Sequence, residues 1–326
     1  MRHVVVFTDG SIRKEALDLL APTCEVRVLH AYPSEDALIE ACRDADAILA
    51  RLGVVTRRVI EQSPRLRIVA RHGVGVDAVD LDAATRNGVV VTTTGSENAA
   101  AVAEYTFALL LGLLRHVLRA DAGMREGKWD RDPLVGTELE GATMGVVGYG
   151  AIGRRVARQA MGFGMRVLAC DVASPSVEPG VTLVPLDRLL RESDVVSLHT
   201  RLHADNARLL DADAIAAMKP GACLVNTARG ELVDEAALIA ALERGSLRGA
   251  ALDTYESEPL APSSPLRRMR NVLLSPHVAG QTEAALRRVG IAAARCILDE
   301  LGGRTPPFVY NPEAYSHRGR IRPHPG

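Results

Sequence analysis

The stretch "GVVGYGAIGRRVA", Gly145 to Ala157, narrows the possible folds more than any other part of the chain. Gly148, Gly150 and Gly153 stand at G-x-G-x-x-G spacing between a short apolar run, Met144 to Val147, and an amphipathic run, Arg154 to Met161. A strand entering such a loop and a helix leaving it are the first half of a βαβ unit. There the first glycine allows the tight turn, the second lets a pyrophosphate approach the backbone, and the third lets helix and strand pack closely. The N–H groups and positive dipole end of the helix then face the phosphates. The loop offered to such a ligand comprises Gly148, Tyr149, Gly150, Ala151, Ile152 and Gly153. The next strand-like run, "MRVLACD", ends at Asp171, 18 residues after Gly153. A carboxylate there accepts hydrogen bonds from both adenosine ribose hydroxyls and repels a 2′-phosphate, which predicts NAD over NADP. A Gly-rich turn with no ligand is the alternative.

The loop sits inside a longer alternation. Ahead of it, "HVVVF", "CEVRVL", "AILAR", "LRIVARHG" and "VVVTTT" read as strands; "RKEALDLLA" and "SEDALIEACRDA" read as helices, the second N-capped by Ser34. From Ala142 on, "TMGVVG", "MRVLACD", "VVSLHT", "ACLVNTA", "GAALDTY" and "NVLLSPH" read as six more strands. Such alternation predicts an α/β fold of parallel sheets covered by helices, and six strands in one unit match a doubly wound dinucleotide-binding domain. One long helix is predicted from about Asn98 to Arg119, before the polar, irregular stretch "MREGKWDRDPLVGTELEG". A last helix, "EAALRRVGIAAARCILDELGG", ends at a glycine pair. Residues 313–326, Pro-rich and basic, read as a loosely held tail.

Composition removes other function classes. The chain has 326 residues, enough for two domains, and is 47% hydrophobic but only 3% aromatic, so its cores must be aliphatic. A net charge of −1 gives no basic field for nucleic acid. The N-terminal apolar run is too short for a signal peptide, and the longest apolar stretch, "AAAVAEYTFALLLGLL", contains Glu104 and reads as a buried helix; no membrane partner is predicted. Cys24, Cys42, Cys170, Cys223 and Cys296 lack CxxC spacing, which predicts reduced thiols in the cytoplasm and no metal site.

Three later stretches supply chemistry. "LVNTARGELVDE" puts Arg229, "ALDTYESEPL" puts Asp253 and Glu258, and "NVLLSPHVAG" puts His277 just past predicted parallel strands. In an open α/β sheet that edge lines the ligand crevice. Hydride transfer to a carbonyl needs a proton donor for the developing alkoxide, and histidine suits that role. A carboxylate on the other ring nitrogen fixes its tautomer, and a guanidinium can hold a 2-oxo acid and polarise its carbonyl. Taken singly, His277 is also compatible with a turn histidine, Arg229 with a surface ion pair and Glu258 with a turn acid.

Taken together, "RHGVGVDAVDLDAATRNGVVV", "NAAAVAEYTFALLLGLLR", "GKWDR", "GTELEGATMGVVGYGAIGRRVA", "MKPGACLVNTARGELVDEAAL", "GAALDTYESEP" and "NVLLSPHVAG" resemble the D-2-hydroxyacid dehydrogenase family, closest to short D-3-phosphoglycerate dehydrogenase-like members. These stretches cover most of residues 45–295. The resemblance implies a Rossmann coenzyme domain, residues 99–292, inserted in a flavodoxin-like substrate domain, residues 1–98 and 293–312. It implies that helices bridging the two act as a hinge. It implies Arg229, Glu258 and His277 as the catalytic set and Asp253 at the nicotinamide carboxamide. His199, Thr200, Thr227, Ala228 and Gly280 join the NAD contacts, with His277 beside them. Val74 and Gly75, in the "HGVG" loop, are implied at the substrate carboxylate, as a Gly-rich anion nest would be. The arm near residues 119–141 resembles the one by which family members form two-fold dimers, with Trp129 as its anchor.

Arg51, Arg71 and Arg131 match positions that surround the substrate phosphate in phosphoglycerate-type members, which implies a 2-hydroxy acid with a second anion. The alternative is that Arg51 and Arg71 pair with acids such as Asp77 or Asp46. After "VVSLHT" the family pattern of proline and leucine gives way to Arg201-Leu202, which weakens the bias against a 2′-phosphate. Three functions stay open: a dehydrogenase for an acid such as 3-phosphoglycerate, a glyoxylate or hydroxypyruvate reductase, and an NAD(H)-sensing binding protein.

Overall fold

A strand covered by helices on both faces needs an apolar residue at every position, because neither face meets water. Valine- and alanine-rich runs meet that demand, and they order the chain. The computed structural model describes residues 2–29, 33–173 and 176–318. It divides into two compact units, residues 1–98 with 282–326, and residues 99–281.

The first unit begins with β1 (His3–Phe7), α1 (Lys14–Leu20), β2 (Cys24–Val28), α2 (Glu35–Cys42), β3 (Ala47–Ala50), α3 (Arg57–Glu61), β4 (Ile68–Arg71), α4 (Leu81–Arg86) and β5 (Val90–Thr92). All five strands are parallel, in the order β2-β1-β3-β4-β5. That is the flavodoxin-like order, with its crevice where the winding reverses between β1 and β3. Ser34 Oγ accepts from Ala37 N at 3.3 Å and caps α2.

The second unit holds α5 (Ala99–Leu114), α6 (Val117–Arg125), β6 (Thr143–Val147), α7 (Ala151–Gly162), β7 (Arg166–Cys170), β8 (Val181–Leu183), α8 (Leu186–Glu192), β9 (Val195–Leu198), α9 (Ala212–Ala216), β10 (Cys223–Asn226), α10 (Glu235–Glu243), β11 (Gly249–Leu252) and β12 (Val272–Leu274). The sheet order is β12-β11-β10-β9-β6-β7-β8, the Rossmann winding with its reversal between β6 and β9. Every residue of β6, β9, β10 and β11 is buried. The sheet has seven strands where the sequence predicts six. The extra one, β8, is a three-residue edge strand too short to leave a periodic signal.

Two expectations about helices need correction. The predicted helix over residues 98–119 is two helices meeting at 63°, α5 and α6, because His116 between them is left-handed at φ 56°. Thr137 N donates to Leu114 O at 3.1 Å and satisfies a carbonyl at the end of α5. The return to the first unit comes at residue 282, not 293. Helix α11 (Glu283–Leu301) belongs to that unit as a whole, packing on α1, β3 and β4 with Ala293, Ala294, Cys296 and Ile297 in the core. Among the described residues no single helix is long and apolar enough to cross a membrane.

The residues after α11 are also better held than their composition suggests. Residues 313–318 include α12 (Ala314–His317), with Ala314 buried, and Arg318 Nε donates to Gly88 O at 3.0 Å. The rest of the predicted tail, residues 319–326, lies outside the described residues. Just before it, Asn311 Oδ1 accepts from Val91 N at 2.7 Å, while its Nδ2 donates to Val89 O and Thr85 Oγ1, both at 3.0 Å. Asn311→Ala would strand the buried Val91 N–H, so chemical unfolding should show a loss of about 1–3 kcal/mol. An unchanged midpoint would mean that this clip does not hold the end of the first sheet.

Candidate active site

The three loop glycines each answer a different steric demand. Gly148 has φ +91°, and a Cβ on it would lie 2.6 Å from the backbone of His199 and Thr200. A Cβ on Gly153 would lie 2.0 Å from Gly148 O. A Cβ on Gly150 meets nothing within 4 Å, so the space beside it is a cradle that a side chain would fill. No side chain caps α7, whose N-cap is Gly150, so its first N–H groups are left for an anion. Asp171 accepts from Tyr149 N at 2.6 Å and Ala173 N at 2.8 Å, one bond per oxygen, which leaves acceptor capacity for hydroxyl donors. These residues fit the adenosine and pyrophosphate of a dinucleotide.

The other predicted cofactor residues lie on the same edge of this unit. His199 follows β9 and shares a hydrogen bond with Ser197 Oγ at 2.8 Å through Nε2. Its Nδ1 is buried and has no partner among the described residues, and burial lowers the imidazole to about 3. The ring is therefore neutral, beside the backbone of Gly148. Thr200 is half-buried, and Thr227 Oγ1 lies 3.1 Å from Thr106 Oγ1. Ala228 N donates to Asn226 Oδ1 at 3.0 Å, and Gly280 lies partly exposed after the buried Ala279.

Register then explains how three distant stretches meet. Asn226, Leu252 and Leu274 are in line across β10, β11 and β12, so the residues after them emerge side by side. His277 Nδ1 lies 2.8 Å from Glu258 Oε2. Glu258 Oε1 accepts from Tyr255 N at 3.2 Å. Burial pushes the Glu258 carboxyl up, but the His277 hydrogen bond and charge, the Tyr255 N–H and the charge of Arg229 outweigh it, and the net shift is downward. Arg229 Nη1 donates to Ala228 O at 2.7 Å, and Arg229 O accepts from Asn226 Nδ2 at 2.8 Å. Gly230 brings the two loops into contact. A Cβ there would lie 1.8 Å from Tyr255 C and 2.4 Å from Glu256 N.

His277 itself is held in the left-handed region, φ 54°, which a non-glycine residue rarely adopts. Asp253 holds it there. Its fully buried carboxylate accepts from Ser275 Oγ at 2.6 Å, Val278 N at 2.9 Å and Ala279 N at 2.8 Å, while His277 N donates to Asp253 O at 2.9 Å. Asp253 thus anchors the turn, a role the sequence reading does not assign. The sequence reading does not single out Tyr255. Its hydroxyl lies 2.9 Å from Ser275 O and 3.1 Å from Leu252 O, and accepts from Ser275 N at 3.1 Å. The available signal was polar residues, Asn226 and Ser275, standing at the ends of otherwise apolar strands.

In the first unit, Arg51 follows β3 and pairs with Asp9, which follows β1, at 2.6 Å, with side chains only 12% and 9% exposed. The sequence offers acids such as Asp77 or Asp46 as partners for Arg51 and Arg71. Asp46 is instead taken by Arg65 at 2.9 Å and by Val4 N at 2.8 Å. Arg71 Nε donates to Gly75 O at 2.9 Å and Nη1 to Ala50 O at 3.0 Å, curling the loop of Val74 and Gly75 around the guanidinium. Arg131, in the second unit, is exposed just before a short 3-10 turn.

The likenesses of this chain to known proteins are specific. Residues 107–279 match the model of the D-isomer specific 2-hydroxyacid dehydrogenase, NAD binding domain. A hydroxypyruvate reductase of Thermotoga maritima is 38% identical over 93% of this chain and 100% of its own length. A D-3-phosphoglycerate dehydrogenase of Synechocystis is 39% identical over 91% of this chain but only 54% of its own length. The crystal structure of the TT0316 protein from Thermus thermophilus superposes with a TM-score of 0.88 at 38% identity, covering 94% of this chain and 99% of that one.

Because the His277 contact opposes the effect of burial on Glu258, His277→Ala should raise the Glu258 carboxyl titration in the folded protein. Carboxyl ¹³C NMR against pH reads this directly. A titration that stays put or moves down would mean that the 2.8 Å contact does not govern the carboxylate.

Proposed function

Since the chain belongs to the D-isomer specific 2-hydroxyacid dehydrogenase family, oxidoreductases that use NAD, we propose that it interconverts a small 2-oxo acid and its D-2-hydroxy acid at Arg229, Glu258 and His277. The observation that carries this is the 2.8 Å contact through His277 Nδ1. It fixes the ring so that Nε2 is the atom offered to a carbonyl oxygen, on a side chain 48% exposed. Glu258 stabilises the imidazolium, which gives its proton to the developing alkoxide and takes it back in the other direction. Arg229 holds the substrate carboxylate and polarises the carbonyl. Bound NADH supplies the hydride. Residues 99–281 carry the cofactor, with Asp171 favouring NAD, and the first unit carries the substrate through Val74 and Gly75.

The substrate we favour carries one carboxylate and an uncharged side chain, as glyoxylate and hydroxypyruvate do. Asp9 meets the charge of Arg51 in a mostly buried pair, which leaves less cation for a second anion. The second reading, an acid such as 3-phosphoglycerate, rests on Arg51, Arg71 and Arg131 together. All five cysteines are unpaired, in keeping with a reducing compartment.

We also propose a homodimer through the arm. Val117, Leu118, Met124, Trp129 and Val135 are all exposed, Trp129 by 75% and Val135 by 80%, and no residue of α6 is buried. So many large apolar groups on one segment mark a surface made to be covered, and a second copy covers it with the same residues.

A panel of 2-oxo acids with NADH, and of 2-hydroxy acids with NAD, tests the function. Glyoxylate or hydroxypyruvate should exceed the 3-phospho acid in kcat/KM by about five-fold or more, the upper end of what one exposed charge pair is worth. His277→Ala should lower kcat by about 100-fold or more while NADH still binds. Preference for the phosphorylated acid would select the second reading, and NADH binding without turnover of any acid would select a sensor. Trp129→Arg should convert the dimer to a monomer in light scattering, and a dimer that survives it is not built on the arm.

A further inference from the structure

The residue between the first two loop glycines is tied to two different acids. Tyr149 N donates to Asp171 at 2.6 Å, and the buried Tyr149 side chain donates its hydroxyl to Glu178. Asp171 follows β7 directly, beside the adenosine ribose in the proposed NAD site, and Glu178 stands three residues before β8. Glu178 is also an ion-pair hub. Arg158 Nη2 donates to it at 2.8 Å and Arg154 Nη1 at 3.4 Å. Arg154 in addition lies over the Tyr149 ring, 4.6 Å from its centre, and donates to Ser176 O at 2.9 Å.

This matters because arginine near the ribose is the usual means of accepting a 2′-phosphate. Two guanidiniums on α7 reach the loop after β7, yet both are engaged by one carboxylate. The four charges, Asp171, Glu178, Arg154 and Arg158, sum to zero at this corner. The Tyr149 hydroxyl and then Arg158 hold the Glu178 carboxyl down to about 2, so it stays an anion throughout the working pH range.

We propose that Glu178 is a determinant of cofactor choice, withholding Arg154 and Arg158 from a 2′-phosphate and so adding to the exclusion of NADP by Asp171. The proposal rests on the reading that residues 148–153 and Asp171 hold the adenosine half of NAD. Glu178 touches no reacting atom. Its influence runs through the arginines it holds.

The test is direct binding to the full chain without substrate, so that it does not depend on turnover. Calorimetry with NADH, NADPH, 5′-ADP and 2′,5′-ADP is run on the natural protein and on Glu178→Gln. The expected result is tighter binding of NADPH and 2′,5′-ADP by about five-fold or more, the effect of one freed charge near a phosphate, with NADH and 5′-ADP within about two-fold. Adding Arg154→Gln and Arg158→Gln to Glu178→Gln should abolish the gain. The same two arginine substitutions with Glu178 intact leave two unopposed acids at this corner and should weaken NADPH relative to NADH by no more than about five-fold, a screened effect rather than the loss of a direct phosphate contact, and this arm serves even if Glu178→Gln folds poorly. Equal changes for NADH and NADPH would overturn the proposal, leaving Glu178 as a loop clamp. So would a gain that survives loss of both arginines, or a loss of NADPH relative to NADH greater than about five-fold in the variant that keeps Glu178, the mark of a guanidinium that contacts the phosphate directly. Failure of the natural protein to bind NADH or 5′-ADP at all would instead overturn the underlying reading of the glycine loop.

Discussion

A carboxylate with no access to water must be surrounded by donors, and Asp253 meets that requirement with one turn of chain. Its three donors all come from residues 275–279, so the stability of the buried charge and the shape of the turn are one fact. The turn in turn holds His277 in a backbone region it would not choose. The Glu258 contact follows from that placement, and the charge of Arg229 acts on the same carboxylate. Replace the anchor with an apolar residue and the donors are stranded, whatever the strands do.

How much of this was legible in the sequence depended on whether the determinant was local. The strands were legible because burial on both faces writes an uninterrupted apolar run, as in Thr143–Val147. The glycine loop was legible because three steric demands fall within six residues. The catalytic candidates were legible because parallel strands with matched register bring their following residues to one edge. By contrast, β8 leaves too short a run, and the carbonyl freed at the bend before His116 is met by Thr137, 23 positions later than Leu114. The bonds of Tyr255 to Ser275 and of Asn311 to Val91 span 20 and 220 positions, and no local pattern records them.

Arginines were the least legible residues of all. Nothing local in sequence separates Arg51, Arg71, Arg154 and Arg158 by the use each is put to. In the structure one is paired with Asp9, one curls a loop around itself and two share Glu178. A guanidinium has five donors and a fixed charge, so its use is decided by whatever acceptors the fold brings near it. Counting basic residues around a site therefore overstates the field that a ligand meets.

The placement of α11 also sets an order of events during synthesis. The 99–281 unit is one uninterrupted segment and can close its core as soon as it has been made. The other unit cannot, because Ala293, Ala294, Cys296 and Ile297 fill the space over its sheet, and Asn311 secures the far strand. On the ribosome the first ninety-eight residues must therefore wait, partly uncovered, while the whole of the inserted unit is translated. The segment made first is thus the last to gain its full core, and until then its apolar surface stays open to aggregation.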